Sequence, residues 1–505
     1  MTGRGRALMV QGTSSHVGKS ILVTGLCRLF RQDGLRVAPF KSQNMALNSF
    51  ATPDGREIGR AQATQAEAAR IAPTVDMNPI LLKPEGNRHS QVVVAGKVYG
   101  SLSAREYDEH KETLWPVVEA SLNRLLDAYD LVVIEGAGSP VEMNLRATDI
   151  VNMRVAHAAD APVLLVADID RGGIFAALVG TMELLEADER ARIAGFIVNK
   201  FRGDPSLFTP GVDFLEQRLD RPVFGVVPWI EALGIAEEDS LGLPSATRAG
   251  AVLDERNALI DIALIRLPRI ANFDDFAPLT SHPAVHVRYV AGVEDFGAPD
   301  LVILPGTKTT RADLEFVRDQ RLDTRITAHA QRGGAILGIC GGYQMLGERI
   351  DDPDGIDGPA GATAGLGLLA ATTHFAREKA TVQVRGRLAT GAGLFATAAG
   401  ADFTAYEIHM GRTEAEETPL FTITRNGEAP RPEGAVSRGG RVLGTYLHGL
   451  FANPELVEAL VSALAARKGL TVPLAPARRD PYDHLADELR GALAMDRLRA
   501  LVGVV

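Results

Sequence analysis

The sequence predicts an α/β protein made of two doubly wound domains, and three observations lead to this prediction. Apolar strand-like segments alternate with helical patterns up to about Pro228, which is typical of a parallel sheet covered by helices. The stretch 231–257 is rich in Ala, Gly and acidic residues and has no periodicity. Apolar strands resume at Ile262, so a second domain of the same class follows. We therefore expect domains at 1–232 and 258–505, joined by a linker at 233–257.

Composition limits the classes of protein to consider. A chain of 505 residues with 46% hydrophobic residues can bury more than one core. Its net charge of −10 argues against non-specific nucleic-acid binding, which needs many cationic groups. The sequence has no apolar run of about 18 residues and no signal-peptide pattern at Met1–Arg6, so we expect a cytoplasmic protein that does not bind membranes. Its two cysteines, Cys27 and Cys340, cannot form a disulfide framework, and no Cys/His cluster has zinc-like spacing.

The first element is a strand, Ala7–Gln11, followed by a phosphate-binding loop. This loop runs from Gly12 to Ser20 and ends in Gly-Lys-Ser, and an amphipathic helix then extends to Gly34. Glycines let backbone N–H groups surround phosphates, while the lysine neutralises the β and γ phosphates and the serine hydroxyl ligates Mg²⁺. The loop has five residues between its first Gly and the Gly-Lys pair, where the common pattern has four. The pattern predicts an ATP site with Mg²⁺, and its ATP-binding residues are Gly12, Thr13, Ser15, Gly18, Lys19 and Ser20.

Polar residues end the next strands of this domain. Glu135 follows the buried strand at Leu131, where a carboxylate can reach Mg²⁺, so we predict Ser20 and Glu135 as metal ligands. Asp168 ends another apolar strand, and Asn199 ends a third with an amide able to read an adenine edge. Open parallel sheets bind ligands beyond the carboxyl ends of their strands, so these residues are expected to line one rim.

The second domain begins with apolar strands at Ile262, Val285 and Leu301 and reaches a strand at Ala335–Ile339 that stops at Cys340. Glycines surround this cysteine, and a helix is predicted to begin there. A strand-to-helix turn presents a nucleophile, and the helix N-terminus favours the thiolate. His448 follows another short strand and is the candidate base. We expect loops at 351–367 and 426–440, and we expect the helical last fifty residues to pack across the second domain.

These motifs resemble known families. The second domain resembles class I glutamine amidotransferases, in which Leu304-Pro305-Gly306 matches the oxyanion loop, Cys340 the nucleophile and His448 the base. The first domain resembles the dethiobiotin synthetase group, which shares the longer phosphate loop and the Glu-Gly-Ala-Gly strand end. The order of the two domains resembles the cobyric acid synthase family, as do three strings that begin at Pro39, Met77 and Tyr406.

The resemblance implies a glutamine-hydrolysing ligase. ATP would activate carboxylates of a corrinoid, adenosylcobyrinic acid a,c-diamide, as acyl phosphates, and ammonia released from L-glutamine would convert the b, d, e and g carboxylates to amides. Backbone N–H groups at Gly306 and Gly341 would hold the oxyanion. The residues expected to hold the corrinoid polyanion are Lys41, Gln43, Asn44, Lys83 and Asp168.

The chain departs from the resembled families at two positions. Class I amidotransferases usually carry a Glu two residues after the histidine, and this chain has Leu450 there. Glu407 is a candidate substitute to orient the imidazole, although a salt-bridged structural Glu fits its motif equally well. Gln62 falls where related synthetases use an acidic metal ligand.

Two alternative functions remain open. One is the sister enzyme that amidates the a and c carboxylates, against which the strings at Lys41 and Asn78 count. The other is a MinD-like positioning ATPase, a reading that ignores Cys340 and His448 and expects a basic amphipathic tail that this chain lacks. The sequence does not indicate an oligomeric state.

Overall fold

The computed structural model describes residues 4–86, 88–230, 234–235, 259–389, 393–472 and 479–503. Those before residue 231 form twelve strands and seven α-helices. The strands are β1 (Arg6–Gly12), β2 (Val37–Phe40), β3 (Gln43–Met45), β4 (Ser49–Ala51), β5 (Glu57–Gly59), β6 (Ile80–Pro84), β7 (His89–Val94), β8 (Lys97–Ser103), β9 (Leu131–Glu135), β10 (Val163–Asp168), β11 (Ile193–Phe201) and β12 (Val223–Pro228). The helices are α1 (Lys19–Gln32), α2 (Arg60–Ala68), α3 (Ala104–Ala128), α4 (Met153–Ala158), α5 (Ile174–Leu184), α6 (Ala187–Arg192) and α7 (Thr209–Leu219).

The described residues after residue 258 form twelve further strands and seven further helices. The strands are β13 (Ile260–Ile265), β14 (Val285–Val290), β15 (Leu301–Leu304), β16 (Ala335–Ile339), β17 (Arg349–Asp352), β18 (Gly361–Ala364), β19 (Ala371–Leu388), β20 (Asp402–Ala415), β21 (Phe421–Arg425), β22 (Arg431–Glu433), β23 (Ala435–Val436) and β24 (Val442–Thr445). The helices are α8 (Ala277–Thr280), α9 (Thr310–Asp319), α10 (Leu322–Gln331), α11 (Gly341–Leu346), α12 (Pro454–Arg467), α13 (Pro481–Ala492) and α14 (Met495–Val502).

The first compact unit comprises Met1–Ala46, Glu57–Ile235 and Arg478–Val505. Its main sheet is parallel, with strand order β12-β11-β10-β1-β9-β2. The inner strand β9 is buried along its whole length, which explains its continuous apolar sequence. A smaller sheet has the order β3-β6-β7-β8. The predicted doubly wound fold of this part is confirmed.

The position of the C-terminal helices was predicted wrongly. Residues 479–503 belong to the first unit, where Leu485, Leu489 and Leu498 lie in the same buried cluster as Leu22 and Leu26 of α1. The outer face of α1 is apolar and needs a cover, and α13 supplies it. An amphipathic pattern shows that a helix has a face to bury, but it does not show which surface receives that face.

The second unit comprises Leu47–Arg56 and Ala236–Ala477. Its main sheet has the order β14-β13-β15-β16-β24-β23 and is parallel except for β23. A second, largely antiparallel sheet contains β17 to β22. The predicted loops at 351–367 and 426–440 therefore include strands β18, β22 and β23. Short edge strands have too few residues to show an alternating apolar pattern.

The units differ from the predicted domains at one further place, because Leu47–Arg56 belongs to the second unit although its sequence neighbours belong to the first. The predicted linker at 233–257 lies outside the described residues except for Gly234 and Ile235. Within the ranges described, no helix combines the length and the apolar character needed to cross a bilayer.

Candidate active sites

Cys340 lies on a strained turn between β16 and α11. Its φ of 52° and ψ of −111° are unusual for a residue with a side chain, and strained backbone of this kind concentrates at functional sites. The turn also requires glycine, because a Cβ on Gly342 would collide with the carbonyl oxygen of Leu304. Cys340 is 7% exposed, and its Sγ lies 3.7 Å from the carbonyl oxygen of Ile408. The geometry is that of a presented nucleophile, as the sequence predicted.

His448 pairs with Cys340 and with a third side chain, Asp275. Its Nδ1 lies 2.6 Å from Oδ2 of Asp275, while Oδ1 of Asp275 accepts a 2.8 Å hydrogen bond from the Gly449 N–H. Burial alone would lower the pKa of His448, but the charge and hydrogen bond of Asp275, together with the Cys340 thiol, raise it to about 10. The imidazolium form of His448 is therefore favoured, and it places a cation beside Sγ of Cys340. Cys340, His448 and Asp275 therefore have the arrangement expected of a nucleophile, a base and an orienting group.

Asp275, rather than Glu407, is the carboxylate that contacts the imidazole of His448. Glu407 instead receives two hydrogen bonds from Arg425, at 2.5 and 2.6 Å, and lies 3.3 Å from His409. Burial would raise the pKa of Glu407, but the hydrogen bonds and charges of His409 and Arg425 lower it to about 2. Glu407 is thus a buried structural ion, and the hypothesis that it orients His448 is wrong. Leu450 is 1% exposed and packs in the core of the second unit.

Asp275 lies in the turn after β13, and no spacing rule connects it to His448. It stands 173 residues away in sequence. The available signal was topological: β13, β15, β16 and β24 are neighbours in one parallel sheet, so the loops after β13, β16 and β24 meet at its carboxyl edge. An acidic residue in the loop after β13 was a candidate on that ground.

The predicted oxyanion residues lie beside the triad. A Cβ on Gly306 would come within 2.9 Å of Cε1 of His448, and one on Gly341 would lie 3.2 Å from the Thr307 nitrogen. The carbonyl of Gly306 accepts a 2.8 Å hydrogen bond from the Ala271 N–H, which fixes the peptide plane between Gly306 and Thr307. The structure thus brings Gly306, Gly341, Cys340 and His448 together.

The phosphate loop connects β1 with α1 in the first unit. Gly18 has φ 95°, and a Cβ there would collide with Nδ2 of Asn199. Lys19 donates to the carbonyl oxygens of Ser14 and Gly138, at 2.9 and 3.1 Å. The remaining loop residues lie along the same segment: Gly12 ends β1, Thr13 donates to Val166 O at 2.9 Å, and Ser15 is exposed. The loop, its lysine and the following helix match the predicted geometry.

Glu135 is the centre of a buried polar cluster at the start of α1. Its Oε1 accepts hydrogen bonds from the Ser20 hydroxyl at 2.8 Å and from the Lys41 ammonium at 2.9 Å. Its Oε2 accepts a 2.6 Å hydrogen bond from Gln65. Ser20 and Glu135, the two predicted metal ligands, are therefore adjacent. Sequence reasoning considered Gln62, but Gln65 is the amide that reaches the carboxylate, while Gln62 accepts a 3.0 Å hydrogen bond from Asn44.

The donor set around Glu135 fits Mg²⁺. Mg²⁺ takes oxygen ligands and is usually held by one or two carboxylates together with substrate phosphates. Within the part of the chain that the structure describes, no group of three or more His, Cys, Asp or Glu side chains could hold a metal by itself. The Ser20 hydroxyl and the Glu135 carboxylate would supply the protein's oxygen ligands in such a site, and they lie at the end of the phosphate loop.

Several residues that were predicted to contact a ligand form hydrogen bonds with other protein groups in the structure. Asn199 donates to the Val17 carbonyl oxygen at 2.8 Å, so its amide supports the phosphate loop. Asp168 accepts from Lys200 at 3.0 Å. Lys83 donates to Glu57 at 2.7 Å in a buried pair, and Gln43 accepts from the Tyr107 hydroxyl. Charge and position in the sequence suggested exposed cations, whereas Lys41 and Lys83 are only 6% and 5% exposed.

Comparisons with known proteins agree with this division into two sites. Residues 8–243 match the family model of the CobQ/CobB/MinD/ParA nucleotide binding domain, and residues 261–456 match that of the CobB/CobQ-like glutamine amidotransferase domain. A cobyric acid synthase from Sorangium cellulosum is 53% identical to this chain, with 98% of each chain covered. One from Dehalococcoides mccartyi strain CBDB1 is 49% identical over 98% of this chain and 99% of the relative. One from Desulfitobacterium hafniense strain Y51 is 48% identical over 100% and 99%.

Proposed function

Because the chain belongs to the cobyric acid synthase family of glutamine-hydrolysing ligases, we propose that it amidates the b, d, e and g carboxylates of adenosylcobyrinic acid a,c-diamide to give adenosylcobyric acid. The observation that carries the proposal is the presence of two chemistries in one chain. A Cys340–His448–Asp275 triad can release ammonia, and a phosphate loop beside Glu135 can activate a carboxylate. Neither chemistry alone makes an amide from glutamine and a carboxylate.

Glutamine hydrolysis would begin at Cys340. The Sγ thiolate attacks the side-chain amide carbon of L-glutamine, and the carbonyl oxygen becomes an oxyanion that backbone N–H groups at Gly306 and Gly341 stabilise. His448 donates its proton to the leaving nitrogen, and ammonia departs. Water, deprotonated by His448, then cleaves the thioester and releases glutamate. Asp275 keeps the imidazole in the orientation that both proton transfers need.

Amide formation would begin at the phosphate loop. The γ-phosphoryl group of ATP passes to a carboxylate oxygen of the corrinoid, giving an acyl phosphate and ADP. Lys19 lies on the loop and stabilises the charge that shifts toward ADP. Mg²⁺, held by Ser20 and Glu135, would supply charge neutralisation at the phosphates. Ammonia then attacks the acyl carbon, inorganic phosphate leaves, and one proton is lost to give the amide.

Lys41 is the residue of this site best placed to contact the carboxylate that reacts. Its ammonium lies 2.9 Å from Glu135, one of the two residues that would hold Mg²⁺. Four other residues stay proposed substrate contacts because of their positions in the sequence: Gln43, Asn44, Lys83 and Asp168. In the structure each of them forms a hydrogen bond with another protein group.

The test is incubation with ATP, L-glutamine and corrinoid acids, followed by product mass. Four successive gains of an amide on the a,c-diamide support the proposal, whereas reaction only at cobyrinic acid would indicate the a,c-diamide synthase. Cys340→Ala should abolish glutamine-dependent product and leave product formation with high ammonium, because the acyl phosphate still forms. Equal loss with both nitrogen donors would contradict the two-site mechanism.

A further inference from the structure

The segment Leu47–Arg56 packs in the second unit although it is continuous in sequence with strand β3 of the first. No motif of either domain accounts for it. Its central residues, Ser49, Phe50 and Ala51, each contact a residue that supports one member of the triad.

The contact of Ser49 leads to Asp275. The Ser49 N–H donates a buried 2.8 Å hydrogen bond to Oδ1 of Asn272. Asn272 has a left-handed backbone with φ 52°, and its carbonyl oxygen accepts a 3.1 Å hydrogen bond from the Asp275 N–H. Asn272 therefore begins the turn that carries Asp275, and the side chain of Asn272 is held by Ser49.

The contact of Phe50 leads to His448. The ring of Phe50 lies 4.7 Å from that of Tyr406, between centroids. Tyr406 forms two backbone hydrogen bonds with His448, at 3.0 and 2.9 Å, and its ring stacks on the imidazole with a centroid distance of 5.5 Å and an interplanar angle of 25°. The ring that limits the motion of the imidazole is thus packed against Phe50.

The contact of Ala51 leads to Cys340. Ala51, Tyr406 and Ile408 form a small buried apolar cluster, and the carbonyl oxygen of Ile408 lies 3.7 Å from Sγ of Cys340. The backbone of Ala51 is fixed as well, because its carbonyl oxygen accepts a 3.0 Å hydrogen bond from Gln383. Each triad residue is thus one intermediate residue away from the segment 49–51.

We propose that residues 49–51 are positioning residues for glutamine hydrolysis, holding Asn272, Tyr406 and Ile408 so that Asp275, His448 and Cys340 keep their mutual geometry. This inference rests on the glutaminase chemistry proposed above. Small displacements of catalytic groups cost large factors in rate, so support of this kind acts on turnover more than on substrate binding. It also means that part of the support for the glutaminase site is encoded at residues 49–51, more than 200 residues before Asn272.

The test uses the full-length protein and two matched pairs of variants. Phe50→Ala removes the ring that packs on Tyr406, and Phe50→Tyr keeps it. Asn272→Gly removes the acceptor for Ser49 while tolerating the positive φ, and Asn272→Asp keeps an acceptor oxygen. Asp54→Ala, at the exposed end of the same segment, is the control for unspecific effects. Glutamate release, ammonia-dependent amidation and the pH profile of glutamate release are measured for each.

We expect Phe50→Ala and Asn272→Gly to lower kcat for glutamate release by roughly tenfold or more, with KM for glutamine changed by less than about threefold. The alkaline limb of the profile, where His448 loses its proton, should move to lower pH because Asp275 holds the imidazolium less well. Phe50→Tyr, Asn272→Asp and Asp54→Ala should behave as the unaltered protein, and ammonia-dependent amidation should be retained throughout.

Unchanged kcat and an unchanged pH profile in both Phe50→Ala and Asn272→Gly would overturn the inference. If Phe50→Ala loses both activities through misfolding, the Asn272 pair decides, and equal glutamate release by its two variants would also overturn the inference. A failure of the proposed function would look different. In that case Cys340→Ser would still release glutamate, and the protein would yield no amide product from glutamine.

Discussion

Replacing Asp275 with Asn should disable glutamine hydrolysis and spare ammonia-dependent amidation. The carboxylate uses both oxygens: Oδ2 pairs with Nδ1 of His448 at 2.6 Å, and Oδ1 accepts from the Gly449 N–H at 2.8 Å. An asparagine has one acceptor oxygen and one donor amide. If the oxygen serves Gly449, the amide faces Nδ1 and selects the imidazole tautomer that cannot take the proton from Cys340. If the oxygen serves His448, two N–H donors oppose each other at Gly449.

The size of the effect follows from these bonds. A hydrogen bond to a charged group contributes about 1.5–3 kcal/mol. At about 1.36 kcal/mol for each factor of ten, the loss slows the reaction by roughly 10- to 150-fold. A wrong tautomer of the imidazole lowers the rate further, and the corresponding Asp-to-Asn change in a Ser-His-Asp enzyme lowers kcat by about 10⁴-fold. We expect kcat for glutamate release to fall by about 10²- to 10⁴-fold.

The assay is glutamate release with and without ATP and corrinoid, measured across pH. Against the lowering effect of burial, Asp275 and Cys340 together raise the pKa of His448 to about 10, so removing the Asp275 charge lowers that pKa and moves the alkaline limb of the profile to lower pH. Amidation with ammonium serves as the folding control. Glutamate release within about threefold of the unaltered protein, with an unmoved alkaline limb, would refute the assignment of Asp275 as the orienting group.

Three further changes test the remaining parts of the molecule. Lys19→Ala should lower amidation by roughly a thousandfold with either nitrogen donor, because charge on the phosphates is no longer stabilised, and near-normal product formation would show that the loop is only a turn. Glu407→Gln should leave the pH profile of glutamate release unmoved. The pKa of Glu407 in the folded state is lowered to about 2, so its charge stabilises the fold above pH 4.5, and this contribution is lost as pH falls from 4.5 to 2. The Glu407→Gln variant should therefore have a lower Tm at pH 7. Its stability should also lack the part of the acid dependence that Glu407 causes. Burial raises the pKa of Glu433 to about 7, so the folded state binds more protons between pH 4.5 and 7 and stability falls as pH rises through this window. Glu433→Gln should reduce that slope in thermal unfolding measured from pH 5 to 8, and an identical slope in the variant would contradict the raised pKa of Glu433.

The sequence alone determined the parts of the two sites that are local. The phosphate loop and the elbow at Cys340 are each built within about ten residues, so the order of strand, glycines and helix in the sequence dictates the geometry. The alternation of strands and helices likewise determined the doubly wound class, because an apolar strand that is buried on both faces requires helices on both sides.

Only the tertiary structure decided which distant residues complete those sites. Asp275 meets His448 because β13 and β24 lie in one sheet with their carboxyl ends at one edge, and Ser49–Ala51 reach Asn272, Tyr406 and Ile408 from more than 200 residues away in sequence. Tertiary structure likewise brings Lys41 to Glu135, and it packs α13, which lies near the C-terminus in sequence, against α1. The sequence shows that a buried carboxylate, a buried lysine or an amphipathic helix requires a partner. The identity of the partner depends on strand order and packing, which no local pattern encodes.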